Sequence, residues 1–408
     1  MATTRASARA EVWRRYGVLG AGMLTAVVIG VRSGAGVLSP VLYWWVGVAP
    51  IARLVGSAWQ VFVAPLFGLR LAVLSFGKGP LSSARLVRGR LVVRRQHRGR
   101  PSLARVPRPG RAVGLRLWLA TASVLVVYVS AAALLAILLP PYCGRPAGCG
   151  LATTLLLSLV DVGPDSPTRV LLHPPSARQA VERGMAVDDD WLRLAHLFAV
   201  GDLEAARQSL ASLPPHPVYS PNATAGLALD EGRYAEAADV ASAWPDAPEG
   251  PFRAMLAADF VRAWCYGREA ALFGRHFAAP LTGPAGREPE GVPDDVEAAA
   301  AAALAVPGAT ASSDVLAQYR LIRGDHAEAV TAANEAAGAT TSLPESAHVH
   351  CTLAHAYLAL GERAKAAEEL ATAQQLAPGA PRIAVIAPWT APPHLGPHPV
   401  SEPTLETS

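Results

Sequence analysis

The sequence predicts an all-α protein in two parts: an N-terminal multi-span helical membrane domain, then an α-solenoid of paired helices. Three observations carry this. Apolar residues make up 51% of the 408-residue chain, more than a soluble protein of this size carries, so part of that surface must face lipid. The charge is divided: 20 Lys/Arg against 2 acids up to Gly163 give +18, and 16 basic against 30 acidic residues beyond it give −14, which combine to the overall +4. Finally, glycine turns followed by an alanine- and glutamate-rich run recur through the second half. Basic residues set between apolar runs, without interleaved aromatics or a nucleic-acid module, point to membrane flanks and exclude nucleic acid as the partner.

The membrane domain is predicted over residues 1–163, with about four hydrophobic segments. Arg5, Arg9, Arg14 and Arg15 precede an uncharged run at 16–31; a second run at 33–52 and a third at 54–69 follow, interrupted only by Arg32 and Arg53. Residues 78–116 contain twelve Lys/Arg and no acid, so both the N-terminus and this loop are predicted to be cytoplasmic. An even number of crossings must then separate them, most simply one near 16–33 and one near 38–66, and Pro40 and Pro50 can be accommodated in a membrane helix. Residues 115–139 form the clearest span, charged only at Arg116. Beyond it, Cys143 and Cys149 bracket a Pro/Gly-rich loop, either as a small disulfide or as two thiols at a membrane surface. The apolar run 151–160 is taken to return, which places the C-terminal part in the cytoplasm.

Around the basic loop the residues Leu66-Phe67-Gly68-Leu69-Arg70, Leu74-Ser75-Phe76-Gly77-Lys78-Gly79-Pro80 and Arg88-Gly89-Arg90-Leu91-Val92-Val93 form a pattern. It resembles the stretch after the active-site helix of the site-2 protease family of intramembrane zinc metallopeptidases. Register back from Phe67-Gly68 puts Gly56, Ser57 and Gln60 where that family has its two histidines and its glutamate. Residues 162–170 resemble the family's later Asp element, with Ser166 at the Asp position and Asp165 beside it. Zinc hydrolysis needs two imidazoles one helical turn apart and a carboxylate base. The resemblance, which covers about 16–170, therefore implies a degenerate, non-catalytic scaffold with no metal and no cofactor.

After a linker at 164–176, residues 177–378 carry the repeats. Gly201-Asp202-Leu203-Glu204-Ala205-Ala206, Gly232-Arg233-Tyr234-Ala235-Glu236-Ala237 and Gly324-Asp325-His326-Ala327-Glu328-Ala329 share one pattern, with a fainter copy at Gly267. Leu353, Ala354, Tyr357, Gly361, Ala366, Leu370, Ala373 and Pro378 stand where a tetratricopeptide repeat has its packing residues, with His350 at the usual Trp position. The resemblance implies about five helix pairs. Residues 379–408, rich in proline and without periodicity, are predicted to be disordered.

Three further features have plain readings. His348, His350, Cys351 and His355 spread around one helix and do not converge on an ion. Asp188, Asp189 and Asp190 form an acidic helix start before Trp191. Asn222-Ala223-Thr224 matches a glycosylation acceptor, but nothing else in the segment supports secretion. The expected function is an integral membrane adaptor in the cell membrane, in contact with lipid, that binds a protein or peptide partner in the repeat groove. Its acidic balance calls for a basic or neutral partner. The alternative is a site-2 protease-like zinc peptidase with divergent ligands.

Overall fold

The computed structural model describes residues 59–97, 102–110, 112–138, 167–173, 175–176, 179–180, 186–275, 292–305 and 310–390. The chain divides into two compact units, one of residues 1–70 with 106–181 and the other of residues 71–105 with 182–408.

In the first unit a π-helical turn, Trp59–Val63, and a 3-10 turn, Ala64–Phe67, lead to the long helix α1, Val113–Leu138, and the short helix α2, Pro167–Leu172. Ala64, Leu69 and Ala120 are buried together under Trp59, Phe67 and Leu117. Trp59 Nε1 donates to Ser123 Oγ at 2.9 Å, and Trp118 Nε1 to the Leu171 carbonyl at 3.0 Å. A Cβ on Gly114 would lie 2.1 Å from the Pro175 carbonyl oxygen, so glycine is what lets the backbones meet there. Helix α1 has 26 residues, or about 39 Å at 1.5 Å per residue. That exceeds the roughly 30 Å of a bilayer's hydrocarbon core. Its stretch Val113–Ala131 is long and apolar enough to cross a membrane, the one such helix among the described residues. Leu115, Val126, Val129, Ile137 and Leu138 are exposed on it. The expected spans before residue 59 and the return segment at 151–160 lie outside the described residues.

The basic loop expected over 78–116 is instead largely strand, which corrects the all-α expectation. Strands β1 (Leu69–Phe76), β2 (Lys78–Val87), β3 (Arg90–His97) and β4 (Ser102–Pro107) form one sheet in the order β2-β3-β1-β4. β1 pairs with β3 in parallel and β2 with β3 antiparallel. The reason lies in the side-chain alternation of an extended chain. On β3, Leu91 and Val93 are buried while Arg90 and Arg94 are exposed. The β2–β3 turn places Arg88 at φ 52° and Gly89 at φ 74°, both left-handed, as a two-residue hairpin requires. Leu81, Ala84, Leu91 and Val93 pack with Ala199, Val200 and Leu343 of the helical part. Residues 71–105 thus belong with the C-terminal unit, which corrects the boundary expected at 163.

The helices of that unit are α3 (Asp189–Val200), α4 (Leu203–Ser212), α5 (Tyr219–Asp230), α6 (Tyr234–Ala241), α7 (Pro251–Arg275), α8 (Asp294–Leu304), α9 (Thr310–Ile322), α10 (His326–Ala339), α11 (Leu343–Ala359), α12 (Arg363–Leu376) and α13 (Pro381–Thr390). Gly201, Gly232, Gly324 and Gly361 follow α3, α5, α9 and α11 with φ between 76° and 81°, left-handed turns that glycine allows without strain. Alanines let successive helices approach closely: Ala332, Ala333, Ala336 and Ala337 of α10 pack against Val349 and Leu353 of α11.

Two expectations are corrected. Gly267 is not a turn but lies inside α7: the segment continues as one 25-residue helix because apolar Val261, Ala263, Cys265 and Tyr266 carry its buried face straight through. Residues 381–390, expected to be disordered, form α13, held by Ile383 and Ile386 in the core with Ala373, Leu376 and Phe273. The short helix was hidden by its prolines, Pro381 at the first position and Pro388 inside.

Candidate functional site

A groove of about 580 Å³ runs through the C-terminal unit. It is lined by the first helices of successive pairs: α3 gives Trp191, Leu194 and Phe198; α5 gives Tyr219, Asn222 and Asp230; α7 gives Phe252, Met255, Asp259, Arg262 and Tyr266; α9 gives Asp314; and α11 gives Glu345 and His348.

One end is aromatic. The Trp191 and Tyr219 rings lie 5.3 Å apart, Phe252 meets Tyr219 edge-on at 5.0 Å, and His216 stacks on Tyr219 at 4.3 Å. The Tyr219 hydroxyl donates to the Ala186 carbonyl at 2.9 Å, and burial pushes its pKa up to about 12. The hydroxyl therefore stays neutral across the physiological range.

The other end is acidic. Arg262 donates through Nε to Asp314 Oδ2 at 2.9 Å, through Nη1 to Asp259 Oδ1 at 3.0 Å and through Nη2 to Glu345 Oε1 at 3.4 Å. Burial works to lower the guanidinium, but Asp314, Asp259 and Glu345 hold it well above its usual range. Three carboxylates compete for this one cation, so two of them are pushed the other way. Burial, reinforced by Asp230 and Asp314, raises Asp259 to about 6 and Glu345 to about 7 against the pull of Arg262. A fourth carboxylate, Asp230, lies 3.2 Å from His348 Nε2.

Behind this wall is a second buried pair. Arg382 of α13 donates to Glu269 of α7 through Nε at 2.9 Å and Nη2 at 2.7 Å, and to the His348 carbonyl through Nη1 at 2.7 Å. His355 Nδ1 is 2.9 Å from Glu269. Burial would raise the Glu269 carboxyl, but Arg382 and His355 outweigh it and hold it at about 2. The Arg382 guanidinium lies over Tyr266, 4.1 Å from the ring centroid, and His348 stacks on that ring at 5.1 Å. The pair therefore fixes the groove's rear wall.

The four residues with metal-ligand chemistry on α11 diverge. His348 faces Asp230, His350 Nδ1 is 2.6 Å from Glu369, His355 faces Glu269, and Cys351 is buried. Burial raises the Cys351 thiol to about 12, which makes it a poor nucleophile. Among the described residues no group of three His, Cys, Asp or Glu side chains is placed to hold a metal. Of the zinc-motif positions, Gln60 falls on the π-helical turn, whereas Gly56, Ser57 and Ser166, like Cys143 and Cys149, lie outside the described residues. Ala354, Ala366, Leu370 and Ala373 are buried between α11 and α12, Leu353 is buried instead against the alanines of α10, Tyr357 packs partly buried beside both, and Pro378 is exposed just past α12. Asp188 stands before α3 with no side-chain cap. Asn222 lies on α5, its Nδ2 donating to the Val218 carbonyl at 2.9 Å.

Reading by sequence missed the acidic cluster. Its signal was the set of single charged residues on otherwise apolar helix faces, such as Asp259 and Arg262 one turn apart among alanines and Phe260. No protein-family model, no curated protein and no solved structure matches the chain.

Proposed function

We propose that the protein is a non-catalytic integral membrane adaptor that binds a segment of a partner protein in the groove of a tetratricopeptide-like solenoid. The observation that carries this reading is the groove itself. It is built from the first helix of successive pairs and combines apolar aromatics with polar groups at one end, the composition of a binding cleft. Among its described lining residues there is no cysteine, and the one histidine, His348, is engaged with Asp230.

In this reading helix α1 anchors the chain in the cell membrane beside further spans in residues 1–58 and 139–166. The N-terminal half is a scaffold like that of the site-2 proteases, with its zinc motif replaced by Gly56, Ser57 and Gln60. The basic stretch 78–116 supports a cytoplasmic placement for the C-terminal unit. A reporter enzyme fused after Thr390 and active only outside the cytoplasm would reverse that orientation.

Metal analysis separates the adaptor from the peptidase alternative. Full-length protein purified in detergent without chelator is expected to hold far less than one zinc per chain. Stoichiometric zinc, removed together with a peptidase activity, would overturn the non-catalytic reading.

A further inference from the structure

We propose that the groove is specific for a basic side chain, arginine above all, presented by the partner segment. This rests on the adaptor reading and adds the chemistry of recognition to it. Four carboxylates line the groove, on Asp230, Asp259, Asp314 and Glu345, and Arg262 is the one Lys or Arg among the lining residues. Its guanidinium is already shared among three of them. Asp259 and Asp314 are buried while Asp230 and Glu345 are partly exposed, so the site holds a surplus of carboxylates over cations, a costly arrangement at its buried part unless a cation joins it.

A second, independent observation points to the same ligand. Asp314, Tyr266 and His348 are 0%, 1% and 4% exposed. Asp314 Oδ1, the Tyr266 hydroxyl and His348 Nδ1 are buried with no hydrogen-bond partner. Asn222 Oδ1, on the same groove, is likewise without one. Two of these atoms, the carboxylate and amide oxygens, are acceptors only, and the hydroxyl can accept. A buried acceptor left unmade costs about 1–3 kcal/mol, so such a set is built for a ligand rich in donors.

Arginine fits best. Its planar guanidinium carries five donors in a fork, which suits several separated acceptors, whereas an ammonium offers three from one point. Its apolar stem can lie along Trp191, Tyr219 and Phe252 at the aromatic end while the guanidinium reaches the carboxylates. An acidic segment would meet surplus like charge, and a purely apolar one would leave the orphaned atoms unpaired.

The test uses the full chain in non-ionic detergent and a set of blocked fluorescent nonapeptides of alanine and leucine with one central residue varied. Anisotropy is expected to show saturable binding of the arginine peptide and binding weaker by roughly tenfold or more for the isosteric, uncharged citrulline peptide, the scale of one charged hydrogen bond. Two variants place the binding in the groove. Asp314→Asn removes charge at the unpaired oxygen. Gly226→Leu fills the groove from α5, where an added Cβ meets nothing within 4 Å, and its unfolding temperature is checked against that of the wild type. Each is expected to weaken the arginine peptide about tenfold. Equal binding of arginine and citrulline peptides, tighter binding of a glutamate peptide, or insensitivity to both variants would overturn the proposal. Citrulline binding equal to that of arginine, or tighter binding of glutamate, when it is blocked by Gly226→Leu, would do so while leaving the adaptor reading in place. Absence of saturable binding by every peptide would count against both.

Discussion

Gly232 and Gly361 share a backbone conformation, φ 77° and 79°, but not their surroundings. A Cβ on Gly361 would meet open space, whereas one on Gly232 would lie 2.9 Å from Cβ and Cγ of Pro381. Replacing Gly361 by alanine should therefore cost only the left-handed backbone term, about 1–2 kcal/mol. Replacing Gly232 adds a clash with the first residue of α13, which must shift and strain Arg382 beside it. Thermal unfolding of the full chain in micelles is expected to fall further for Gly232→Ala than for Gly361→Ala; the opposite order would contradict the packing of Pro381 on that turn. The left-handed turns were legible as sequence, because glycine before an alanine-rich run marks a helix break. The pressure on Gly232 was not, since Pro381 is remote from it in the chain.

At the scale of single elements, α13 is the clearest departure from what the sequence conveyed. It has ten residues, with one proline at its first position and another inside it, too short and too broken for periodicity to register. Its place is fixed by long-range partners, Glu269 on α7 and Thr352 on α11. Ending the chain after Pro378 should thus be far from neutral. It removes Arg382 and leaves Glu269 as a buried charge with only His355, a loss of about 3–5 kcal/mol by analogy with broken buried pairs. A truncated chain that unfolds at the wild-type temperature would show that α13 contributes nothing.

The groove's acidic end makes a second prediction at this scale. Asp259 and Glu345 titrate above the ordinary carboxylate value in the folded state. The stability they contribute is thus full below about pH 4 and is lost as pH rises through about 6 and about 7. His216 and His326, lowered by burial, act in the opposite sense, destabilising the fold as they are charged below about pH 6.5. The informative comparison is therefore between proteins. Between pH 5.5 and 8 the unfolding temperature of Glu345→Gln is expected to decline less than that of the wild type. Parallel profiles would place the Glu345 titration elsewhere.

For the whole molecule, the chain's opposite charges do not fall into the two blocks that composition implied. The basic strands β2 and β3 are built into the acidic C-terminal unit, with Arg95 donating to the Gly338 and Thr340 carbonyls at 2.9 and 3.0 Å. Arg95 thereby satisfies carbonyls left open at the end of α10. Net charge gave no hint of this, because a strand with arginine on one face and valine on the other has the same composition as a basic loop. The paired helices were legible because close packing imposes small residues at fixed spacing. The acidic wall of the groove was not, because Asp230, Asp259, Asp314 and Glu345 come from four helices.

The central claim, that this groove holds a partner segment at the membrane, is tested most directly by photocrosslinking in intact cells. p-Benzoylphenylalanine is placed at Met255, which lines the groove and is 40% exposed, or at Leu360, which is 42% exposed outside it. The expected result is a discrete adduct in the membrane fraction from position 255, absent from position 360 and diminished by Gly226→Leu. No adduct from position 255 with the protein present at normal level, or the same adduct from both positions, would contradict the account.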